Sequence, residues 1–295
     1  PGVRDGRMQT MTAERDRLAR LRASVDVALD RRLPPAQAGR LAAAMRHLTL
    51  APGKRLRPVL VLLIAEHLGG TSEAAMPAAC ALEYVHAASL VLDDLPCMDD
   101  APMRRGQASV HVAFGEDVAV LTGVALLNEA YGVVTRATHL PPATRLGMLE
   151  ALVRAVGFSG LVAGQEEDLK RDAERSLNAI AAVHHQKTGV LFVAAAEMGA
   201  LAAGADARTT EALRGFAYEF GLAFQALDDL DDLPDPNGAG AAAGGPSAHI
   251  LSVLGREEAR ARAEAQAREA RATLRRASPS LASLGSYIDL LLGRS

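Results

Sequence analysis

Tryptophan is missing from this chain, and four tyrosines and six phenylalanines are the only other large aromatics. Extended β-branched runs are also scarce while Ala and Leu dominate, so local propensity favours helix throughout. The two cysteines, Cys80 and Cys97, form no CxxC pair, and neither a disulfide framework nor a thiolate metal site is expected. A membrane span needs roughly 20 apolar residues, and the run Val59 to Ala65 falls far short of that. The N-terminal PGVRDGRMQT lacks the apolar core of a secretory signal, so a cytoplasmic protein with no membrane span is expected. Pro1 stands where an initiator Met would, and a trimmed start is expected. A net charge of −3 with scattered basic residues offers no field for nucleic acid. Internal repeats, a Walker-type loop, an HExxH pair and a nucleophile elbow are all absent.

What is present is a hydrophobic share of 49% in 295 residues, enough for one sizeable core. The expectation is a single all-α domain over residues 1–295, its first residues, about ten, loosely held. Residues 11–32 carry Leu18, Leu21, Val25 and Leu29 on one helical stripe, ended by Pro34 and Pro35. Further helices are expected over 36–48, 59–68, from about Glu73 after a Thr71 or Ser72 cap, and over 117–137 and 144–156. One long helix is expected over 178–203, another over 211–233, and a last over 257–276 with its charges in solvent. Between the last two, Pro234 to Ala248 reads as a flexible Gly, Ala and Pro loop.

Charge concentrates in a few places within this apolar background. Residues 86–111 hold Asp93, Asp94, Asp99 and Asp100 with Arg104 and Arg105, directly after an apolar helix. Such a cluster is commonly a solvated helix end. A second one, Asp228, Asp229, Asp231 and Asp232, makes a two-sided acidic site the sharper reading. On a continuous helix Asp93 and Asp99 would not share a face, so the insert Leu95 to Met98, with Pro96, must bulge to return Asp99. Carboxylates held in this way suit Mg²⁺, and neighbouring arginines suit phosphate oxygens. Gly53-Lys54-Arg55-Leu56-Arg57-Pro58 is a basic loop at the mouth of an apolar helix, read either as an anion site or as a solvated turn. His86, Ser89 and Asp93 descend one helix face. Gly157, Gly160 and Gly164 allow close helix approach or room for a ligand, and Gln165 and Asp168 share a face. Lys187 and Thr188 sit inside an apolar pattern, where the lysine needs a phosphate or an aspartate. Gln225, Asp228 or Asp229, and Asp232 form a polar stripe beside Leu222, Ala226 and Leu230.

Taken together these motifs resemble the trans-isoprenyl diphosphate synthases (polyprenyl synthetases), most of all the bacterial carotenoid-type geranylgeranyl diphosphate synthases. The resemblance rests on DDxxxxD with RRG and a His (Asp93, Asp94, Asp99, Arg104, Arg105, Gly106, His111), GKRxRP (Gly53 to Pro58), Lys187-Thr188, and FQxxDDxxD (Phe224, Gln225, Asp228, Asp229, Asp232). It implies an isoprenoid-synthase helical bundle around a central cavity, a homodimer, and three Mg²⁺ between the two Asp-rich motifs. Asp93, Asp94, Asp99, Asp228, Asp229 and Asp232 would hold the metals, with Arg104, Lys187, Thr188, Phe224 and Gln225 around the allylic diphosphate. Lys54, Arg57, His86 and Arg105 would hold isopentenyl diphosphate. Product length in the family is set below the first motif, here by small Ala88 and Ser89 with Val85 deeper, which implies a product longer than C15, C20 best. One departure stands out: the family's two lysines after the second motif fall at Ala239 and Ser247, and PDPNGAGAAAGGPSAH has no lysine or arginine. That leaves a class I terpene cyclase-like enzyme and a low-activity regulatory subunit as alternatives.

Overall fold

A computed structural model describes residues 2–170, 176–231, 253–277 and 279–292, with side chains from Thr12 onward except at 231, 277 and 279. The helices are α1 (Gly2–Arg32), α2 (Arg40–Thr49), α3 (Leu56–His67), α4 (Ser72–Asp93), α5 (Val110–Phe114), α6 (Glu116–Thr135), α7 (Pro142–Val156), α8 (Leu161–Asp168), α9 (Leu177–His184), α10 (Val190–Ala202), α11 (Ala207–Asp231), α12 (Arg256–Ala277), α13 (Pro279–Ala282) and α14 (Leu284–Leu291). The all-α expectation holds. Among the described residues the only strands are β1 (Met103–Arg104) and β2 (Gln107–Ala108), one antiparallel hairpin.

Helix α3 lies at the centre because it has no polar face to offer water. Val59 through Ala65 are all at most 1% exposed. Its end is set by Gly69, whose φ of +84° a side chain would resist. Thr71 then caps α4, accepting a hydrogen bond from the Ala74 amide at 3.2 Å. Helices α4 and α10 pack on α3, α6 covers α4, and α7 and α11 cover α10. Helix α12 lies along α11 through small residues, Ala259, Ala263, Ala267 and Ala270, while most of its charges stay outside, as expected.

Two expectations need correction. Residues 178–203 are not one helix: α9 and α10 are separated by a π turn, His185–Gly189. The turn is clasped by glycines, which explains its place. A Cβ at Gly164 would sit 2.6 Å from the Lys187 amide nitrogen, and one at Gly221 would sit 3.0 Å from Gly189 Cα. The second concerns membrane-spanning capacity. Three helical stretches, Ser72–Asp93, Glu116–Thr135 and Pro142–Asp168, are long and apolar enough to cross a membrane by length and composition. Alanines and glycines make them so without any uninterrupted strongly apolar run. In α4 that apolar surface is turned into the protein, with 72% of the window buried.

Candidate active site

Part of the expected site lines a cavity of about 480 Å³ formed by five chain segments: residues 52–57, helix α4 at Glu83, His86 and Leu90, Arg104–Arg105, Thr188, and α11 at Phe224, Gln225 and Asp228; Asp93, Asp94, Asp99, Lys187 and Asp229 are not in its lining. The basic loop before α3 therefore faces α11 across the cavity, and among the described residues Asp228 is the one member of the two aspartate clusters in its lining. Lys54 is exposed at the rim and Arg57 half-buried within. Arg57 lies over the Phe192 ring at 4.8 Å, and burial pushes its guanidinium down to about 10. Burial, reinforced by Arg57 and Arg105, holds His86 well below the usual imidazole range.

Arg105 reaches the cavity because β1 and β2 are joined by a two-residue turn, Arg105-Gly106, with φ of +52° and +79°. A tight hairpin of this kind needs left-handed backbone at both positions, which only the second, as glycine, adopts without strain. The Arg-Arg-Gly sequence is therefore as much a turn as a charge motif.

On the acidic side, the insert after Asp93 closes on itself, its Asp99 amide donating to the Asp93 carbonyl at 2.9 Å. The bulge expected from Pro96 is present. Asp93 is desolvated, and burial pushes its carboxyl up to about 6 against the pull of Lys187. Asp94 points elsewhere: its Oδ1 accepts from Arg104 Nε at 2.9 Å and Nη2 at 2.6 Å, and its Oδ2 is buried without a partner. Asp99 is exposed and Asp228 half-buried. Asp229 is buried and accepts from Gln225 Nε2 at 2.8 Å, with His184 Nε2 at 3.6 Å from its other oxygen. Asp232 lies outside the described residues, as do Ala239 and Ser247.

Among the described residues no three His, Cys, Asp or Glu side chains converge as a complete metal site. The donors nevertheless fit Mg²⁺, a hard cation normally held by one or two carboxylates plus substrate phosphates and water. A desolvated Asp93 and the orphaned Asp94 oxygen are carboxylate groups that a cation would satisfy.

The π turn positions the remaining cation. Lys187 Nζ donates to Asp168 Oδ2 at 2.7 Å, so an aspartate is its partner. Against burial, which lowers it, that bond keeps Lys187 above the usual lysine range. Thr188 Oγ1 donates to Gln225 Oε1 at 2.8 Å, tying the turn to α11. Both side-chain atoms of Gln165 are buried without a hydrogen-bond partner. Of the product-length positions, Val85 and Ala88 are fully buried, and Ser89 is half-buried with its hydroxyl bonded to the His86 carbonyl at 2.9 Å.

Sequence reasoning missed Arg55, Glu83 and His184. The first was absorbed into a loop motif, and the third has no motif. Glu83 did carry a signal: an acid in the middle of an alanine-rich buried helix has to be paired.

Comparison with known proteins identifies the family. The family model described as Polyprenyl synthetase matches residues 39–245. A geranylgeranyl diphosphate synthase of Pantoea ananas is 45% identical over 222 residues, covering 74% of this chain and 74% of its own. One from Pseudescherichia vulneris is 47% identical over 196 residues, 65% of this chain and 64% of its own. Among solved structures, an apo FPP/GFPP synthase from Zymomonas mobilis superposes with a TM-score of 0.85 at 33% identity, covering 96% of this chain and 99% of that one. The chain belongs to the polyprenyl synthetase family of trans-prenyltransferases, with the helical isoprenoid-synthase fold.

Proposed function

We propose that this protein joins isopentenyl diphosphate to an allylic diphosphate, giving geranylgeranyl diphosphate and releasing pyrophosphate. The observation that carries the reading is the two-sided cavity, with Arg57, His86 and Arg105 on one wall and Thr188, Gln225 and Asp228 on the other. Lys54, Arg57, His86 and Arg105 hold the isopentenyl diphosphate. Arg104, Lys187 and Thr188 bind the allylic diphosphate with Gln225, and Phe224 walls it. Asp93, Asp94 and Asp99 with Asp228, Asp229 and Asp232 would hold Mg²⁺, three ions in the full complement. When bound, the metal would offset the charge of the leaving diphosphate. The cations of the chain stabilise charge as the allylic C–O bond ionises, and the apolar wall keeps water from the carbocation. The alkene of isopentenyl diphosphate then attacks, and a proton leaves the new C–C unit. Small side chains at Ala88 and Ser89 support a C20 product.

Incubation with Mg²⁺, isopentenyl diphosphate and dimethylallyl, geranyl or farnesyl diphosphate in turn tests this by product analysis. A C20 diphosphate is expected. A cyclic hydrocarbon from geranylgeranyl diphosphate alone would replace the reading with a cyclase. A second reading, a slow catalyst or regulatory subunit, is favoured by the absence of lysine and arginine from Pro234 to Ala248. Charge-assisted hydrogen bonds contribute about 1.5 to 3 kcal/mol each. The A239K/S247K variant should therefore turn over faster, and an unchanged rate would remove the missing cations as the cause.

A further inference from the structure

Arg55 and Arg105 share two features. Each is a non-glycine residue with left-handed backbone, φ +49° and +52°, and Asp100 is the only other such residue among those described. Each also directs its guanidinium at the same oxygen, Glu83 Oε1, Arg55 Nη1 at 2.5 Å and Arg105 Nη2 at 3.5 Å. Glu83 is 1% exposed, and it lines the cationic cavity, where an anion would otherwise oppose the ligand.

Left-handed backbone at a side-chain-bearing residue is strained and persists only where the surroundings enforce it. The enforcement is visible for both arginines. Arg55 is held by Glu83, by Asp26 of α1 at 2.7 Å and by the Ala51 carbonyl at 2.9 Å. Arg105 lies flat on Gly53, where an added Cβ would stand 3.3 Å from its Cζ. The basic loop and the hairpin turn are distant in sequence, and Glu83 is the group on which both close.

We propose that Glu83 is the positioning residue of the diphosphate pocket: its carboxylate pins the left-handed turns at Arg55 and Arg105, so that Arg57 and Arg105 are in place before isopentenyl diphosphate arrives. The proposal rests on the assignment of this pocket to isopentenyl diphosphate. Arg55 is then not a ligand-binding cation but the strut that carries Glu83's hold to the loop. Asp26 extends the same strut to α1.

Steady-state kinetics of Glu83→Gln, Glu83→Asp and Arg57→Met, varying each substrate separately, tests both layers. Arg57→Met examines the pocket assignment, and an unchanged KM for isopentenyl diphosphate there overturns that assignment. With that KM raised in Arg57→Met, Glu83→Gln is expected to raise it about tenfold while kcat and the allylic KM stay within about threefold. Glu83→Asp, which keeps the charge, should recover part of the loss. Three outcomes overturn the positioning role: an unchanged KM, a lowered KM, which would make Glu83 merely repulsive, or equal changes in both KM values and kcat, which would make it merely structural. Breaking a buried pair can prevent folding. Should Glu83→Gln fail to fold, Asp26→Asn decides, at a half-exposed position. Its KM for isopentenyl diphosphate should rise about twofold to threefold, and an unchanged value overturns the proposal.

Discussion

Asp93 and Asp94 are neighbours in the chain but meet different surroundings, and substitutions should separate them. Asp93 is desolvated and feels the charge of Lys187, whereas Asp94 is engaged by Arg104. Asp93→Asn should lower kcat by about 10² to 10³, the scale seen when one preorganised electrostatic contact is removed. Asp94→Asn should instead act through Arg104 and raise the allylic KM, measured with isopentenyl diphosphate saturating. Product length is also decided by single residues. Filling the Ala88 position with Phe should shift the product from C20 toward C15, read by chromatography of dephosphorylated products; an unshifted product would remove Ala88 from the ruler. Most of these residues were legible in the sequence because charge inside apolar helix needs a reason. The pairing of Glu83 with Arg55 was not, since it spans 28 positions and involves a backbone conformation that composition does not record.

At the scale of elements, the legible features were those with a period or a breaker. The Thr71 cap, the Pro96 bulge and the apolar stripe of α1 all follow from local rules. The π turn between α9 and α10 does not, because one added residue in a helical turn leaves the apolar pattern on both sides almost unchanged. Its cause is tertiary, the approach of Gly164 and Gly221 to its backbone. Gly164→Ala would place a methyl 2.6 Å from the Lys187 nitrogen, so the turn must move. The expected result is a loss of at least tenfold (about 1.4 kcal/mol of barrier) in kcat with helicity retained by circular dichroism. Wild-type kcat in that variant would show that the turn tolerates displacement.

At the scale of the whole molecule, stability should depend on pH through buried imidazoles. Burial holds His67, His86 and His185 below the ordinary histidine value. In the unfolded chain they protonate near about 6.5, so below that pH the unfolded state binds more protons and folding weakens. The melting temperature should therefore fall from pH 7 to pH 5, and His67→Asn with His185→Asn should flatten the slope. The homodimer implied by the family resemblance needs a contact face, and an exposed apolar one is present. Helix α6 exposes Val120, Leu121 and Val124 at 45%, 56% and 60%, beside Val112 of α5. Leu121→Lys with Val124→Lys should give a monomer by sedimentation if this face joins two copies, and an unchanged species would place the contact elsewhere. One bond ties the π turn to α11 on the second wall of the cavity: the Thr188 hydroxyl donates to Gln225, whose amide donates on to Asp229. A hydroxyl has a single proton, so Thr188 cannot keep Gln225 and also donate to a phosphate oxygen. Ligand capture at Thr188 therefore releases an acceptor on α11, making the empty and occupied states chemically distinguishable at the Gln225 side-chain amide.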